Sequence, residues 1–372
     1  MLPHAPLWLI LVAFVCMLGP IVFFHELGHY LVARLFKIPA EVFSIGFGRE
    51  LAGWTDKQGT RWKIAWLPLG GYVRFVGDMS PASNPADLES IPEHLRDRAF
   101  QVRPVWQRFL VVLAGPAANF LLAILIFAAF FSLLGAPTSN VVGAVQRDSP
   151  AARAGILPGD KIVSLAGRPT PTFADLFSAT SVRPGETVIV QVERGDTPRN
   201  LRVTLASDFL KAPNGDNVRR GVLGIVPSRT TLQPMSVSKA IPEAVSQTFR
   251  TTVGLVDALV QIFRGYVSPK QLGGPITIAN VAGDVATLGP VEFIGLLALL
   301  SINVGFINLL PVPMLDGGHL FFYIIEAVRR RPVSAAALDW AFRGGLALIL
   351  TFLLFLTGND LGLWNQLERL IG

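Results

Sequence analysis

Four stretches of the chain run without Asp, Glu, Lys or Arg: residues 1–24, 109–138, 293–315 and 344–359. About 20 apolar residues cross the hydrocarbon core of a bilayer. The first three stretches suffice. The fourth is continued past Asp360 by residues 361–364, where Trp364 suits an interface. The first run has no Lys or Arg at its start and no small-x-small cleavage site, and it leads straight into His25 and Glu26. It therefore reads as a span and not as a removed secretory signal. The pattern predicts a polytopic α-helical membrane protein with four transmembrane helices.

The intervening segments follow other rhythms. EVFSIGFG (41–48) and TRWKIAWLPLGGYVRF (60–75) are rich in β-branched and aromatic residues and predict strands or hairpins close to the membrane. Residues 78–99, with three prolines, predict a loop. From 138 to 230, short apolar runs alternate with turn clusters such as LPGD (157–160) and RPGE (183–186), the pattern of a compact β-rich domain. SPAARAG (149–155) predicts a short helix closed by glycine. Val245, Phe249, Val253, Val256, Leu259, Val260 and Phe263 recur at three- and four-residue spacing. They predict an amphipathic helix that lies on the outer membrane surface or packs on the β-rich domain or the bundle.

The predicted organisation is a first span with a motif (1–36), a cytoplasmic membrane-associated β region and loop (37–103) and a second span (104–137). An inserted β-rich domain (138–230) and an amphipathic helical region on the outer face (231–290) follow. A third span (291–327) and a basic loop with the fourth span (328–372) complete it.

Composition agrees with a lipid-embedded chain. It is 51% hydrophobic and 16% charged, against about 25% charged in soluble domains. An ordinary soluble globule and a disordered chain are both excluded. The net charge of +6 fits cytoplasmic loops facing anionic lipid, and no nucleic-acid partner is expected. Arg329, Arg330, Arg331 and Arg343 outnumber Glu326 and Asp339 in the short connection before the last span, which makes that loop cytoplasmic. Residues 37–108 are then cytoplasmic too, and residues 138–290 with both termini lie outside. The one cysteine, Cys16, excludes an intramolecular disulfide and a multi-cysteine zinc site.

The chemistry centres on His25-Glu26-Leu27-Gly28-His29. Residues four apart share a helix face, so both imidazoles can bind one Zn²⁺ with Glu26 beside them as general base. Composition alone would give about 0.002 chance matches to this pattern. Ionisable groups at membrane depth are costly and point to function. Two histidines leave zinc one protein ligand short, and Asp316 is the best candidate for the third. His25 and His29 lie 18 and 22 residues after Leu7, about 27–33 Å along a helix, and Asp316 lies 23 residues after Phe293, about 34 Å. The first and third spans run in the same direction, so both sets reach similar depth near the cytoplasmic side. Pro311 and Pro313 break the helix before Asp316, which membrane depth tolerates only around a cavity or within protein. They are placed with the substrate-binding residues, lining a polar cavity. His319 reads as a group at the helix end, outside or beside the ligand set. Asn308 either holds substrate backbone or an oxyanion, or bonds a neighbouring helix like Asn303. Asn119 reads as part of close helix packing with Gly115, Ala117 and Ala118.

FHELGH (24–29), GFG (46–48), PLGGYVRF (68–75), GPAANF (115–120), LGGPITIA (272–279) and NLLPVPMLDGGHL (308–320) together resemble the site-2 proteases, the intramembrane zinc metalloproteases, of the bacterial regulator-of-sigma-E protease type. The resemblance covers most of the chain. It implies His25, His29 and Asp316 as zinc ligands, Glu26 as catalytic base and Asn308 as a substrate-binding residue. It implies also that an extended substrate adds as a strand near Gly46, Phe47 and Gly48. VGAVQRDSPAARAGILPGDKIVSLAGRP (142–169) is similar to a bacterial protease PDZ domain, here single where the best-known members carry two. That domain would take a peptide end or gate access. The expected activity is zinc endopeptidase cleavage of single-pass membrane proteins, of the anti-sigma factor or remnant signal peptide type, in a bacterial inner membrane whose lipid is itself a partner. Two other readings stand beside it: a non-catalytic membrane PDZ scaffold with a vestigial metal site, and a metal transporter, which would be expected to show an inverted repeat.

Overall fold

The computed structural model describes residues 5–77, 91–137, 140–211, 217–228, 232–269 and 272–363. Most of the predicted loop at 78–99 and the predicted interfacial Trp364 lie outside the described residues. In chain order come α1 (Leu7–Leu35), β1 (Ala40–Thr55), β2 (Arg61–Phe75), α2 (Glu93–Arg96) and α3 (Val105–Leu133). Then follow β3 (Ala136–Pro137), β4 (Val142–Val145), α4 (Pro150–Arg153), β5 (Lys161–Leu165), β6 (Arg168–Pro169) and α5 (Phe173–Ser181). Next are β7 (Thr187–Arg194), β8 (Thr197–Thr204), β9 (Ala206–Lys211), β10 (Asn217–Val222), β11 (Ile225–Pro227) and β12 (Leu232–Gln233). The chain closes with α6 (Val237–Phe263), α7 (Pro275–Leu288), α8 (Pro290–Leu309), α9 (Asp316–Arg329) and α10 (Ala335–Asp360). Among the described residues, α1, α3, α8 and α10 are long and apolar enough to cross a membrane.

Two compact units divide the chain: Met1–Ala123 with Ile278–Phe355, and Ile124–Thr277 with Leu356–Gly372. In the first unit, the hairpin of β1 and β2 folds on itself. Residues 42–45 pair with 61–64 on one side and with 71–74 on the other, while 50–55 pair with 61–65. Gly71–Phe75 is therefore an edge. Gly46 (φ 87°) and Gly48 (φ 88°) adopt the left-handed conformation that lets the ribbon turn there at no Cβ cost. Phe43, buried, stacks on Trp62 with centroids 4.2 Å apart and joins Tyr30, Ala33, Phe75, Val111 and Tyr323 in one core. Asp56, in the hairpin turn, accepts from Tyr30 Oη (3.1 Å), Trp62 Nε1 (3.0 Å) and the backbone N–H groups of Gln58 and Thr60. The turn is thus tied to α1 one residue beyond His29. Where Pro311 and Pro313 predict a break, the chain leaves helix between α8 and α9, and Leu310 is extended.

In the second unit, β6-β5-β7-β8 form an antiparallel sheet. The alternation in TVIVQVER turns Val188, Val190 and Val192 inward, the period-two pattern of a half-buried strand. They pack with Ile162, Leu165, Val203, Leu176 and Ala179. Ser149 Oγ accepts from Ala152 N–H at 3.1 Å to start α4, inside the predicted SPAARAG helix. The helix α5 and the β9–β10 hairpin add to the short strands that the sequence pattern predicts. At the far end of this unit's chain, Asp360 accepts from the N–H groups of Gly274, Ile276 and Thr277 and from Thr277 Oγ1, closing the N-terminus of α7.

Candidate metal centre

His25 and His29 are one helical turn apart on α1, and their Nε2 atoms are 3.2 Å apart. Asp316, the first residue of α9, brings Oδ2 to 3.0 Å from His25 Nε2 and 3.6 Å from His29 Nε2. The three donor atoms form the cluster of metal-ligating type found among the described residues. The bend between α8 and α9 is packed tightly enough to fix this aim. A Cβ on Gly318 would strike Val312 O, and one on Gly345 of α10 would lie 2.6 Å from Pro313 Cβ. Met314 holds a left-handed φ of 79°, an unfavourable conformation for a side-chain-bearing residue that its surroundings must impose.

The other ring nitrogens face α3. His29 Nδ1 lies 2.9 Å from the carbonyl of Val111, which fixes its proton on Nδ1 and leaves the Nε2 lone pair facing Asp316. His25 Nδ1 lies 3.2 Å from the amide of Asn119, a fully buried residue whose Oδ1 has no hydrogen-bond partner among the described residues. The two ends of an amide are alike in shape. With Oδ1 turned to the ring, it accepts the His25 Nδ1 proton, and both histidines present Nε2 alike. Asn119 is itself anchored, since its carbonyl accepts from Ser301 Oγ of α8 at 2.8 Å. Its amide is therefore part of the site's support as well as of helix packing. No spacing rule links positions 25 and 119, so only the helix crossing could reveal it.

These residues fit zinc. With bonds of about 2.0–2.1 Å, a tetrahedral ion has ligand–ligand edges of about 3.3–3.4 Å, close to the 3.0, 3.2 and 3.6 Å separations found. With both rings carrying their proton on Nδ1, Asp316 Oδ2 is buried without a hydrogen-bond donor among the described residues, the state expected of a carboxylate oxygen meant for a cation. Two imidazoles and one carboxylate, with a position left open, are a donor set of catalytic zinc.

Close approach of α1 and α3 makes the geometry possible. A Cβ on Gly28 would strike the carbonyl of Ala114, and a Cβ on Gly115 would strike His29 Nε2. Gly115→Ala is expected to displace the His29 ring and weaken zinc binding by roughly 10–100-fold. Competition against a chelator reads this directly, and unchanged affinity would mean the ring has room to spare.

A cavity of about 460 Å³ opens on the cluster and is lined by His25, Glu26, His29, Asp316, Asn308 and His319, with Phe47, Gly70, Gly71, Tyr72 and Val73 of the hairpin. Glu26 is buried, and its carboxylate meets the backbone N–H of Val73. A Cβ on Gly71 would come within 3.1 Å of Glu26 Cγ. Of the residues expected to bind substrate, Asn308 and Phe47 line the cavity. Gly46, Gly48, Pro311 and Pro313 do not: the glycines shape the hairpin and the prolines the bend. Phe47 stacks on Tyr72, centroids 6.0 Å apart, and lies over Gly70. Asn303 is not among the lining residues. His319 lines the cavity but packs on Phe342 (centroids 5.0 Å) and is not in the donor cluster. The sequence pattern predicts the edge run Gly71–Val73 only as a strand, and its place beside Glu26 comes from the fold-back of the hairpin.

Among the described residues, four membrane-length helices, a His–His–Asp cluster formed between α1 and the start of α9, and a neighbouring buried glutamate on α1 define a polytopic membrane protein with a metal centre. The chain belongs to peptidase family M50, whose profile matches residues 13–352. It is 43% identical over 355 residues to a Rhizobium meliloti protein provisionally named a zinc metalloprotease, covering 94% of this chain and 95% of that one. It is 41% identical over 369 residues to an Agrobacterium fabrum protein named in the same provisional way, covering 97% and 96%. It is 39% identical over 393 residues to the metalloprotease MmpA of Caulobacter vibrioides, covering 98% of each.

Proposed function

We propose that the chain is an intramembrane zinc metalloendopeptidase that cuts single-pass membrane proteins within or beside their membrane segment. The observation that carries this is the convergence of His25, His29 and Asp316 with Glu26 on one cavity. Family membership and the relatives' names agree with it.

His25, His29 and Asp316 would hold the ion. Zinc, when bound, acts as a Lewis acid that brings the pKa of a water to about 7. Glu26 takes the proton of the attacking water and passes it to the leaving amine nitrogen. Asn308, on the cavity wall, donates to the substrate carbonyl as negative charge develops there. A peptide bond inside a helix is shielded from attack, so the substrate must be extended at the site. The edge Gly71–Phe75, beside Glu26 and without a further strand among the described residues, offers main-chain partners for such a segment. Phe47 and Tyr72 bound the same space.

Residues 138–230 are read as a single PDZ-like domain. A groove of about 220 Å³ between α5 and the β10–β11 segment, lined by Phe173, Leu176, Phe177, Leu223 and Ile225, suits an apolar peptide end. The basic loop before α10, read as cytoplasmic, supports an active site toward the cytoplasm and this domain on the outer side of a bacterial inner membrane. The substrate class is that of the regulator-of-sigma-E type: anti-sigma factors or remnant signal peptides in regulated intramembrane proteolysis.

Reconstituted into liposomes with a single-pass substrate, the protein is expected to cut that substrate. A chelator should stop the reaction and added Zn²⁺ restore it. Zinc flux across the vesicle without cleavage would overturn the assignment.

A further inference from the structure

We propose that α6 lies in the lipid–water boundary at the membrane face where α3 and α10 end, with one side in lipid and the other carrying the β-rich unit.

From Ile241 to Phe263 every exposed residue is apolar, among them Val245, Phe249, Val253, Val260 and Phe263. Spaced by three and four, they form one stripe along a helix of 27 residues, about 40 Å long. A soluble helix would turn that side inward. Here the inward side is the polar one. Arg183 is ion-paired with Asp257 of α6, and Arg168 reaches the same carboxylate at 3.6 Å. Arg250 of α6 lies 3.5 Å from Asp175 of α5. Thr248 and Gln261 are buried alongside. The charged side of α6 is thus committed to the β-rich unit, and the apolar side faces out.

What covers that side follows from where the chain is held. Met235 N–H, just before α6, donates to the carbonyl of Phe131 near the end of α3 at 2.9 Å. Next to it, β12 pairs with β3, which directly follows α3. Beyond α6, Gly274 and Thr277 are bonded to Asp360, the last residue of α10. Between the end of α3 and the end of α10 the chain crosses the bilayer twice, through α8 and α10. Both anchor points therefore sit at the same membrane face, whichever way the protein is oriented. A helix strung between them, uncharged at every exposed position from 241 to 263, matches a lipid boundary and buries its apolar side there.

The test uses the full chain with Cys16→Ser and one new thiol, Phe249→Cys or Val260→Cys, labelled with bimane and reconstituted into phosphatidylcholine–phosphatidylglycerol vesicles. Both labels are expected to be quenched by nitroxide-bearing lipid and shielded from iodide. Adding Phe249→Glu to the Val260 label should weaken lipid quenching and admit iodide, with zinc content unchanged. Quenching of both labels by iodide and not by lipid would place α6 in water. Shielding from both quenchers would mean that a second copy or another protein covers the stripe. Either result overturns the proposal.

Discussion

Glu26→Gln is expected to retain one zinc per chain and to lose substrate cleavage by about 10²–10⁴-fold, the usual contribution of a general base. The substitution keeps shape and removes only the ability to accept a proton. Glu26 lies outside the donor cluster, so the ligand count should not change. Its contact with the Val73 N–H can be kept by the Gln carbonyl oxygen, which holds the hairpin edge in place. Metal content and cleavage in proteoliposomes, measured on one preparation, separate the two effects. Undiminished cleavage would reject Glu26 as the base, and loss of zinc along with activity would draw Glu26 into the ligand set. A vestigial site serving a scaffold would show no difference, because neither form would cut.

The parts of the site written in local or periodic signals were legible in the sequence. The i, i+4 histidines need only a helix to meet. Asp316 could be matched to them by depth, because a bilayer imposes a common ruler on distant spans. Pro311 and Pro313 announced the break that releases the carboxylate from helical register. What was not legible depends on how elements cross or fold back. Asn119 reaches His25 because α1 and α3 approach closely at Gly28 and Gly115, and nothing along the chain encodes that distance. Gly71 and Val73 stand beside Glu26 because β1 pairs on both sides, a register no alternation pattern announces. Asp360 looked like an interruption of the fourth apolar run. Its role as the cap of α7 needs a partner 83–86 residues away. In the β-rich unit, α5 is only nine residues long and starts from a Thr172 cap, too short for periodicity to separate it from its loops.

Asp316→Ala should lower zinc affinity by more than the roughly 10–100-fold expected for losing an outer supporting group, and cleavage should fall with occupancy. Among the described residues, the donor cluster holds no fourth group to take the carboxylate's place. His319 is three residues on, but its ring is packed against Phe342 and Tyr323. The bend before α9 is crowded too closely at Gly317 and Gly318 to slide another residue in. His25→Ala should show the same deficit, while His319→Ala should bind zinc as the parent does. Asp316→Asn separates charge from shape: its amide oxygen can still approach the ion, but the anionic donor is gone, so its affinity should fall between parent and alanine variant. Stoichiometry and competition measurements on all four decide the matter. Zinc lost from His25→Ala yet fully retained by Asp316→Ala would take the carboxylate out of the centre, and with it the joining of α1 to α9 on which the peptidase reading rests.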